Sequence, residues 1–341
     1  MITLPSIDIG IDLGTANVII ALGNKGIVLN EPSVVAFNKR TNEVVAVGTE
    51  AYQMLGRTPE YIVAVKPLTD GVISDHEMTE SMIGTLIEKV SAKQLFMPRI
   101  IICVPSGITE VESRAVVDAA KNAGSRKVYL IQEPVAALIG AGVDISTPEG
   151  NMIVDIGGGT TDVAAISMCG IAKSTSIKVG GNKIDQAIIK YVNYMFKMLI
   201  GERTAEQVKK NIGNVFDPDG SKTMVIKGRH LIHGLPETVT ITDLDIKKAI
   251  EEPVQEIIAA IKSVLEITPP ELVGDIKTNG IYLTGGGALL KGLDKLIEQE
   301  TGVECHVAED PMLCVAIGTG KAFKMLDKLL DGFESIKFYN V

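Results

Sequence analysis

Read from its residues alone, this chain is an α/β protein of two similar halves that face each other across a cleft. Three features carry that expectation. Residues 154–163, VDIGGGTTDV, run from an apolar strand end through an aspartate and a glycine-threonine turn into a second apolar strand. Residues 9–18, IGIDLGTANV, repeat that pattern more loosely. The succession of β-rich runs, helices and strands that opens the chain then restarts near Met152. Spacing this long marks a duplicated domain and not a solenoid period.

The elements follow in order. IDIGIDL (7–13), NVIIAL (17–22), SVVAFN (33–38) and VVAVG (44–48) are short β-rich runs separated by turns. Met78, Met82, Ile83, Leu86, Ile87 and Val90 share one face of a helix. IIICV (100–104) reads as a buried strand, and Thr109 with Glu112 forms a capping box for a helix ending near Gly124. KVYLI (127–131) leads into Gln132-Glu133-Pro134, where the proline suits a first helical turn. After the weak boundary at residues 144–151, MIVDI, VAAISM and AKSTSIKV repeat the opening strands. Helices are expected from about 184 to 199 and through Glu206 and Lys209. IYLT (281–284) runs into a third glycine turn, Gly285-Gly286-Gly287, and an amphipathic helix carrying Leu289, Leu293, Leu296 and Ile297. At the C-terminus, Leu326, Leu329, Leu330 and Phe333 give a faint apolar face, expected to be a packing helix.

Composition narrows the function. Net charge is -9 among 341 residues, and no run of Lys or Arg exceeds two, which excludes the basic footprint of a nucleic-acid binder. Cys103, Cys169, Cys305 and Cys314 lack CxxC pairing and sit in apolar runs, as buried thiols of a reducing compartment do. His76, His230, His233 and His306 show no zinc-ligand spacing. With no secretion signal at the start and no apolar run of ~18 residues, a cytosolic protein, or one held at a membrane from the cytosolic side, is expected.

The glycine turns carry the chemistry. A Gly/Thr turn between strands points backbone N–H groups one way and binds phosphate without a lysine. Gly157, Gly158 and Gly159 admit closer approach than any Cβ would, and Thr15 and Thr160 add hydroxyls. Asp12 and Asp155, just before their turns, suit Mg²⁺ held through its water shell. Two such hairpins would clamp a triphosphate from both sides. The competing reading, that these are only tight turns, weakens once the third glycine turn is counted. Walker A and GxGxxG motifs are both absent. Hydrolysis needs a group to place water, and Glu133, Gln132 and Asp162 compete for that role. For Glu133 the structural alternative is a carboxylate serving a helix dipole.

These residues resemble the MreB/Mbl family of bacterial actin homologues. IDLGTAN (11–17), GIVLNEPSVVA (26–36), QMLGRTP (53–59), DGVISD (70–75), EPVAALIGAG (133–142), VDIGGGTTDVA (154–164), LIGERTAEQVK (199–209), TPPEL (268–272) and LTGGGALL (283–290) match collinearly over nearly the whole chain. The phosphate turns alone would also fit Hsp70-type chaperones and sugar kinases. The resemblance implies the actin/Hsp70/sugar-kinase (ribonuclease H-like) fold with Mg-ATP in the cleft and four subdomains. These would be a large one at 1–31, 65–147 and 316–341, a small one at 32–64, a second large one at 148–180 and 246–315, and a second small one at 181–245.

Carried over residue by residue, Gly14, Thr15, Ala16 and Asn17 form the first phosphate turn and Gly157, Gly158, Gly159 and Thr160 the second. Glu206, Gln207, Val208 and Lys209, with Gly286, Gly287, Ala288 and Leu289, enclose ribose and adenine. Glu133 with Thr160 orients the hydrolytic water, and Asp12 and Asp155 serve Mg²⁺. Asp162 stands where many members carry glutamate, and Gln132 where an acid is common. The implied function is a slow ATPase that assembles into antiparallel double protofilaments under the cytoplasmic membrane, guiding the cell-wall elongation machinery and maintaining rod shape. A small-molecule kinase on the same fold, or an ATP-binding scaffold without appreciable hydrolysis, are the alternatives. Leu95, Phe96 and Met97 lie in an expected connection, where the family carries a membrane-inserting loop. At ~1.5–3 kcal/mol per buried side chain one loop binds lipid marginally, whereas a filament presenting many binds by avidity.

Overall fold

The computed structural model describes residues 8–23, 25–69, 71–91 and 97–330, together with the backbone of 336–339. The first half contains β1 (Asp8–Leu13), β2 (Asn17–Leu22), β3 (Gly26–Pro32), β4 (Val35–Asn38), β5 (Val44–Val47), α1 (Thr49–Met54) and β6 (Ile62–Val65). It continues with β7 (Leu68–Thr69), β8 (Val72–Ile73), α2 (His76–Ser91), β9 (Arg99–Val104), α3 (Glu110–Asn122), β10 (Lys127–Gln132) and α4 (Glu133–Gly140). The second half opens with β11 (Asn151–Ile156), β12 (Thr161–Ser167), β13 (Gly170–Ile177), α5 (Gly181–Phe196), β14 (Met198–Leu199) and α6 (Glu202–Ile212). Then come β15 (Thr223–His230), β16 (Pro236–Thr242), α7 (Asp243–Ile267), α8 (Pro270–Asn279), β17 (Ile281–Thr284), α9 (Leu293–Thr301) and β18 (Cys305–Val307). The chain ends with α10 (Cys314–Ala322), α11 (Leu326–Leu330) and β19 (Ile336–Tyr339).

The duplication is visible strand by strand. One sheet runs β19-β10-β9-β1-β2-β3 and the other β13-β12-β11-β17-β18. In each, a three-stranded antiparallel meander (β1-β2-β3; β11-β12-β13) is extended by two parallel strands (β9, β10; β17, β18). The smaller sheets β5-β4-β6 and β14-β15-β16 stand apart from these two.

Between the large sheets lie α4 and α10. Helix α10 packs on β1, β2 and β9, and α4 reaches β11 and β12, so each half lends a helix to the space between them. Ile101, Ile131, Leu138, Ile153, Ala164 and Val315 meet there in one apolar cluster. The two helices touch backbone to backbone: a Cβ on Gly318 would overlap the Ala136 carbonyl, and one on Gly140 the carbonyl of Cys314. Only glycine permits this crossing. In the second half α7 packs on α5, with Ile246, Ile250, Ile257 and Ile261 fully buried. Pro253 inside α7 costs about 3 kcal/mol, and four isoleucines at about 1.5–3 kcal/mol each outweigh it. Among the described residues, no helix is long and apolar enough to cross a membrane.

Some elements differ from expectation. The Thr109–Glu112 capping box is present. The helix expected at 184–199 starts earlier and ends at Phe196, because Lys197 takes a left-handed backbone (φ 51°). Leu289 belongs to a separate 3-10 turn, and α9 begins only after Gly292, whose φ of 79° breaks the run. The expected C-terminal helix is described over Leu326–Leu330, Phe333 lies outside the described residues, and 336–339 form an edge strand antiparallel to β10. Cys305 is only half-buried, unlike the other three thiols.

Candidate functional site

The first turn joins β1 to β2. Leu13 pairs with Val18, leaving four residues, 14–17, in the turn. Ser33, wholly buried, braces it from behind: its hydroxyl donates to the Gly14 carbonyl at 2.5 Å and its N–H to the Ala16 carbonyl at 2.9 Å. The second turn joins β11 to β12, and Ile156 pairs with Thr161, again leaving four residues. Its carbonyls are also held from behind, since Gly181 N–H donates to Gly157 O at 2.9 Å and Asn182 N–H to Gly158 O at 2.8 Å. With carbonyls committed elsewhere, each turn offers its amide edge to an anion.

The two turns meet. A Cβ on Gly158 would lie 2.9 Å from the Ala16 Cβ, tighter than real contacts allow. Gly71, in the β7–β8 hairpin, spans both: its N–H donates to Thr15 Oγ1 at 3.1 Å, and a Cβ there would sit 2.9 Å from Thr160 Cγ2. Its φ of 74° also favours glycine.

Four acids gather behind the turns. Asp12 is the penultimate residue of β1 and accepts from the Cys103 thiol at 3.3 Å. It keeps some surface open, yet the protein packed around it strips away water and pushes its pKa up to about 6. Asp155 is the penultimate residue of β11 and accepts from the Thr284 hydroxyl at 2.8 Å. Burial raises it to about 7 against that hydrogen bond, with Asp162 and Asp12 adding repulsion. Asp162 pairs with Asp155 across the hairpin and accepts the Ser106 N–H at 3.1 Å. Burial raises its pKa too, against that hydrogen bond. Glu133, 9% exposed at the start of α4, is pushed well above the carboxylate range by burial first, then by Asp162, Asp155 and Asp12. Such a cluster is costly without a cation to share. Among the described residues, no three acidic, His or Cys side chains are close enough to hold a metal directly.

The remaining predicted residues divide. Lys209 Nζ lies 2.9 Å from Asp185 Oδ1 and donates to the Gly181 carbonyl at 2.9 Å, tying α6 to the support of the second turn. Glu206 pairs with Lys210 at 2.6 Å, and Gln207 is exposed. Val208 is fully buried in the core of the second half, so its side chain is not available to a ligand in the cleft. Gly286 and Gly287 lie beside the second strand end, with Leu289 and Met312 exposed nearby and Ala288 in the core. Across the halves Lys66 reaches Glu202 at 3.4 Å. Met97 is 63% exposed just before β9, whereas Leu95 and Phe96 lie outside the described residues.

Gly71, Ser33, Thr284 and Asp185 were not singled out from sequence, and Cys103 was read only as a buried thiol. A D-G pair between short β runs was the available signal for Gly71. For Thr284 it was its place one residue ahead of the third glycine turn.

A family model described as MreB/Mbl protein matches residues 6–331. The cell shape-determining protein Mbl of Bacillus subtilis (strain 168) is 53% identical over 323 residues, spanning 94% of this chain and 97% of its own length. The cell shape-determining protein MreB of Escherichia coli (strain K12) is 48% identical over 326 residues, 94% of each chain. The crystal structure of MreB5 of Spiroplasma citri bound to AMPPNP aligns with a TM-score of 0.89 at 38% identity, covering 96% of this chain and 99% of that one. MamK in a double helical filament aligns at 0.80 with 21% identity, over 94% of this chain and 99% of that one, a likeness of fold alone. The fold is thus the actin type, two α/β domains around a cleft, and the chain belongs to the MreB/Mbl family.

Proposed function

We propose that this chain is an ATP-dependent, membrane-associated, actin-like filament protein that maintains rod shape by organising cell-wall synthesis. The observation that carries the nucleotide part is the matched pair of four-residue turns in contact at Ala16 and Gly158, backed by the buried acids Glu133, Asp155 and Asp162 and the half-buried Asp12. The MreB5 structures bound to AMPPNP and ADP support the same reading. Gly14, Thr15, Ala16 and Asn17 hold one side of the phosphate chain and Gly157, Gly158, Gly159 and Thr160 the other. Lys209, with Glu206 and Gln207, and the turn at Gly286, Gly287, Ala288 and Leu289 take the ribose and base.

The donor set fits Mg²⁺. Asp12 and Asp155 have pKa values raised to about 6 and about 7, so neighbouring positive charge would relieve them. They would hold the ion through its water shell, which Mg²⁺ retains. Bound there, the ion supplies charge neutralisation to the phosphate oxygens. Glu133 and Thr160 position a water for attack in line with the terminal phosphate. Burial and the neighbouring acids raise the Glu133 pKa, which makes its carboxylate form a better proton acceptor than an exposed one.

Filament assembly is supported by membership in a family whose relatives determine cell shape. We assign antiparallel double protofilaments, peripheral attachment to the inner face of the cytoplasmic membrane through residues 95–97, and contact with the wall-elongation machinery. The four subdomain boundaries set out from the sequence belong to the same proposal. The test is phosphate release by Glu133→Ala. Turnover should fall at least tenfold while ATP still binds; equal turnover in wild type and variant would leave a passive scaffold as the better reading.

A further inference from the structure

Where α5 crosses α7 on the outside of the second half, a groove of about 280 Å³ opens that plays no part in the site above. Its floor is small and apolar, Ala187, Ala249 and Pro253, and its walls carry Lys183, Lys190 and Lys248. None of these lysines makes an ion pair among the described residues, although the chain as a whole is at -9. Tyr191 and Tyr194 line the groove as well. The acid facing Tyr191, Asp245, is committed: it accepts the Tyr191 hydroxyl at 3.0 Å and caps α7 through Thr242. Glu252 is the one acid among the lining residues.

The basic groups are in register. Lys183 and Lys190 are seven residues apart on α5, close to two turns, so they share one face about 10.5 Å apart. Just past the end of the helix, Lys197 places its Nζ 5.1 Å from the centroid of the Tyr194 ring.

We propose that this groove receives an extended acidic segment of a partner protein. A single phosphate cannot bridge cations ~10 Å apart, whereas a peptide in the polyproline II conformation advances ~9 Å in three residues and returns its side chain to the same face, placing a carboxylate at each lysine. A membrane surface is flat and would not enter the trough between two helices. Tyrosines at its edge supply the rigid amphipathic contacts that peptide grooves use. Each exposed charge contact is weak by itself, so recognition depends on several in line and declines with salt.

Fluorescence anisotropy with the full-length chain tests this. The probe is a fluorescein-labelled decapeptide with glutamate at every third position separated by Gly-Ser, in about 50 mM salt, where screening is modest. The Glu peptide should bind at least tenfold tighter than its Gln counterpart. Lys183→Glu with Lys190→Glu should lose about tenfold in affinity and Lys190→Gln about threefold, while Lys295→Glu, on a different surface, changes nothing. Because these lysines are exposed, the variants should keep the wild-type circular dichroism spectrum. Equal binding of the Glu and Gln peptides would overturn the proposal, as would equal losses in Lys295→Glu. So would a double variant that no longer sediments with phosphatidylglycerol vesicles, or that loses self-association, because the groove would then serve lipid or a second copy.

Discussion

The two hairpins at the cleft have one skeleton and different chemistry. Both place an aspartate penultimate in the first strand, both close with four residues, and both receive a hydrogen bond from the neighbouring parallel strand. In the first hairpin that donor is the Cys103 thiol, and the residue facing Asp12 across the pair is Ile19. In the second it is the Thr284 hydroxyl, and the residue facing Asp155 is a further acid, Asp162. The first turn has one glycine and the second has three. Duplication therefore supplied the grip twice, and acidity was added only to the second copy, next to Glu133 from the first half. The first hairpin is built to hold; the second also concentrates charge.

That asymmetry is open to test at several depths. The largest effect is expected where the turns touch. Gly158→Val would drive a side chain into Ala16, and ATP affinity should drop about a hundredfold or more, since a small misplacement of phosphate-binding groups is expensive. Ala16→Gly, which only removes the facing methyl, should cost less than tenfold. Titration with a fluorescent nucleotide checks both, and similar losses would mean the turns do not pack as described.

Next come the carboxyls. Asp12 and Asp155 have native pKa values of about 6 and about 7, above the ordinary ~3.9 of the unfolded chain. The native state therefore binds the extra protons, and the contribution of these two groups to stability is fully present below about pH 4. It falls as pH rises, with the loss complete near pH 6 for Asp12 and near pH 7 for Asp155. At about 1.4 kcal/mol per pKa unit this is on the order of 3 and 4 kcal/mol. In nucleotide-free protein at pH 8, Asp155→Asn should raise the thermal midpoint and Asp12→Asn should raise it less. Neither should matter near pH 4, and both should lose magnesium-dependent ATP binding.

Smaller still is the exchange of donors. Thr284→Val removes a hydroxyl from a buried carboxylate and should cost about 2 kcal/mol. Cys103→Val removes only a weak S–H donor and should cost under about 1 kcal/mol. Urea unfolding with magnesium present separates them, and equal costs would erase the distinction drawn between the hairpins. Last, Lys66→Gln breaks an exposed ion pair across the cleft and should change stability by less than about 1 kcal/mol.

Local signals were the readable ones. Aspartate-glycine turns, the Thr109–Glu112 box and the Glu133-Pro134 helix start each lie within a few consecutive residues, and each formed as the residues indicated. What depended on distant packing was not readable. Gly71 acquires its place only because folding brings residues 56 apart together. The 25-residue helix α7 was not assigned from the sequence although Thr242 and Asp245 form its capping box; its isoleucines pack against α5. Residues 336–339 form a strand because β10 offers an open edge, information absent from the C-terminal pattern itself. Val208 was assigned by its neighbours in a motif, yet helical spacing turns it into the core beside Ala205 and Ile212.

The decisive quantity is the heat of mixing between the folded, nucleotide-free chain and ATP, titrated with magnesium and again with excess chelator. A single site per chain, tight with magnesium and at least tenfold weaker without it, is what opposed turns backed by Asp12 and Asp155 require. A folded chain giving no heat with ATP, or the same affinity in both titrations, would contradict the assignment of this cleft.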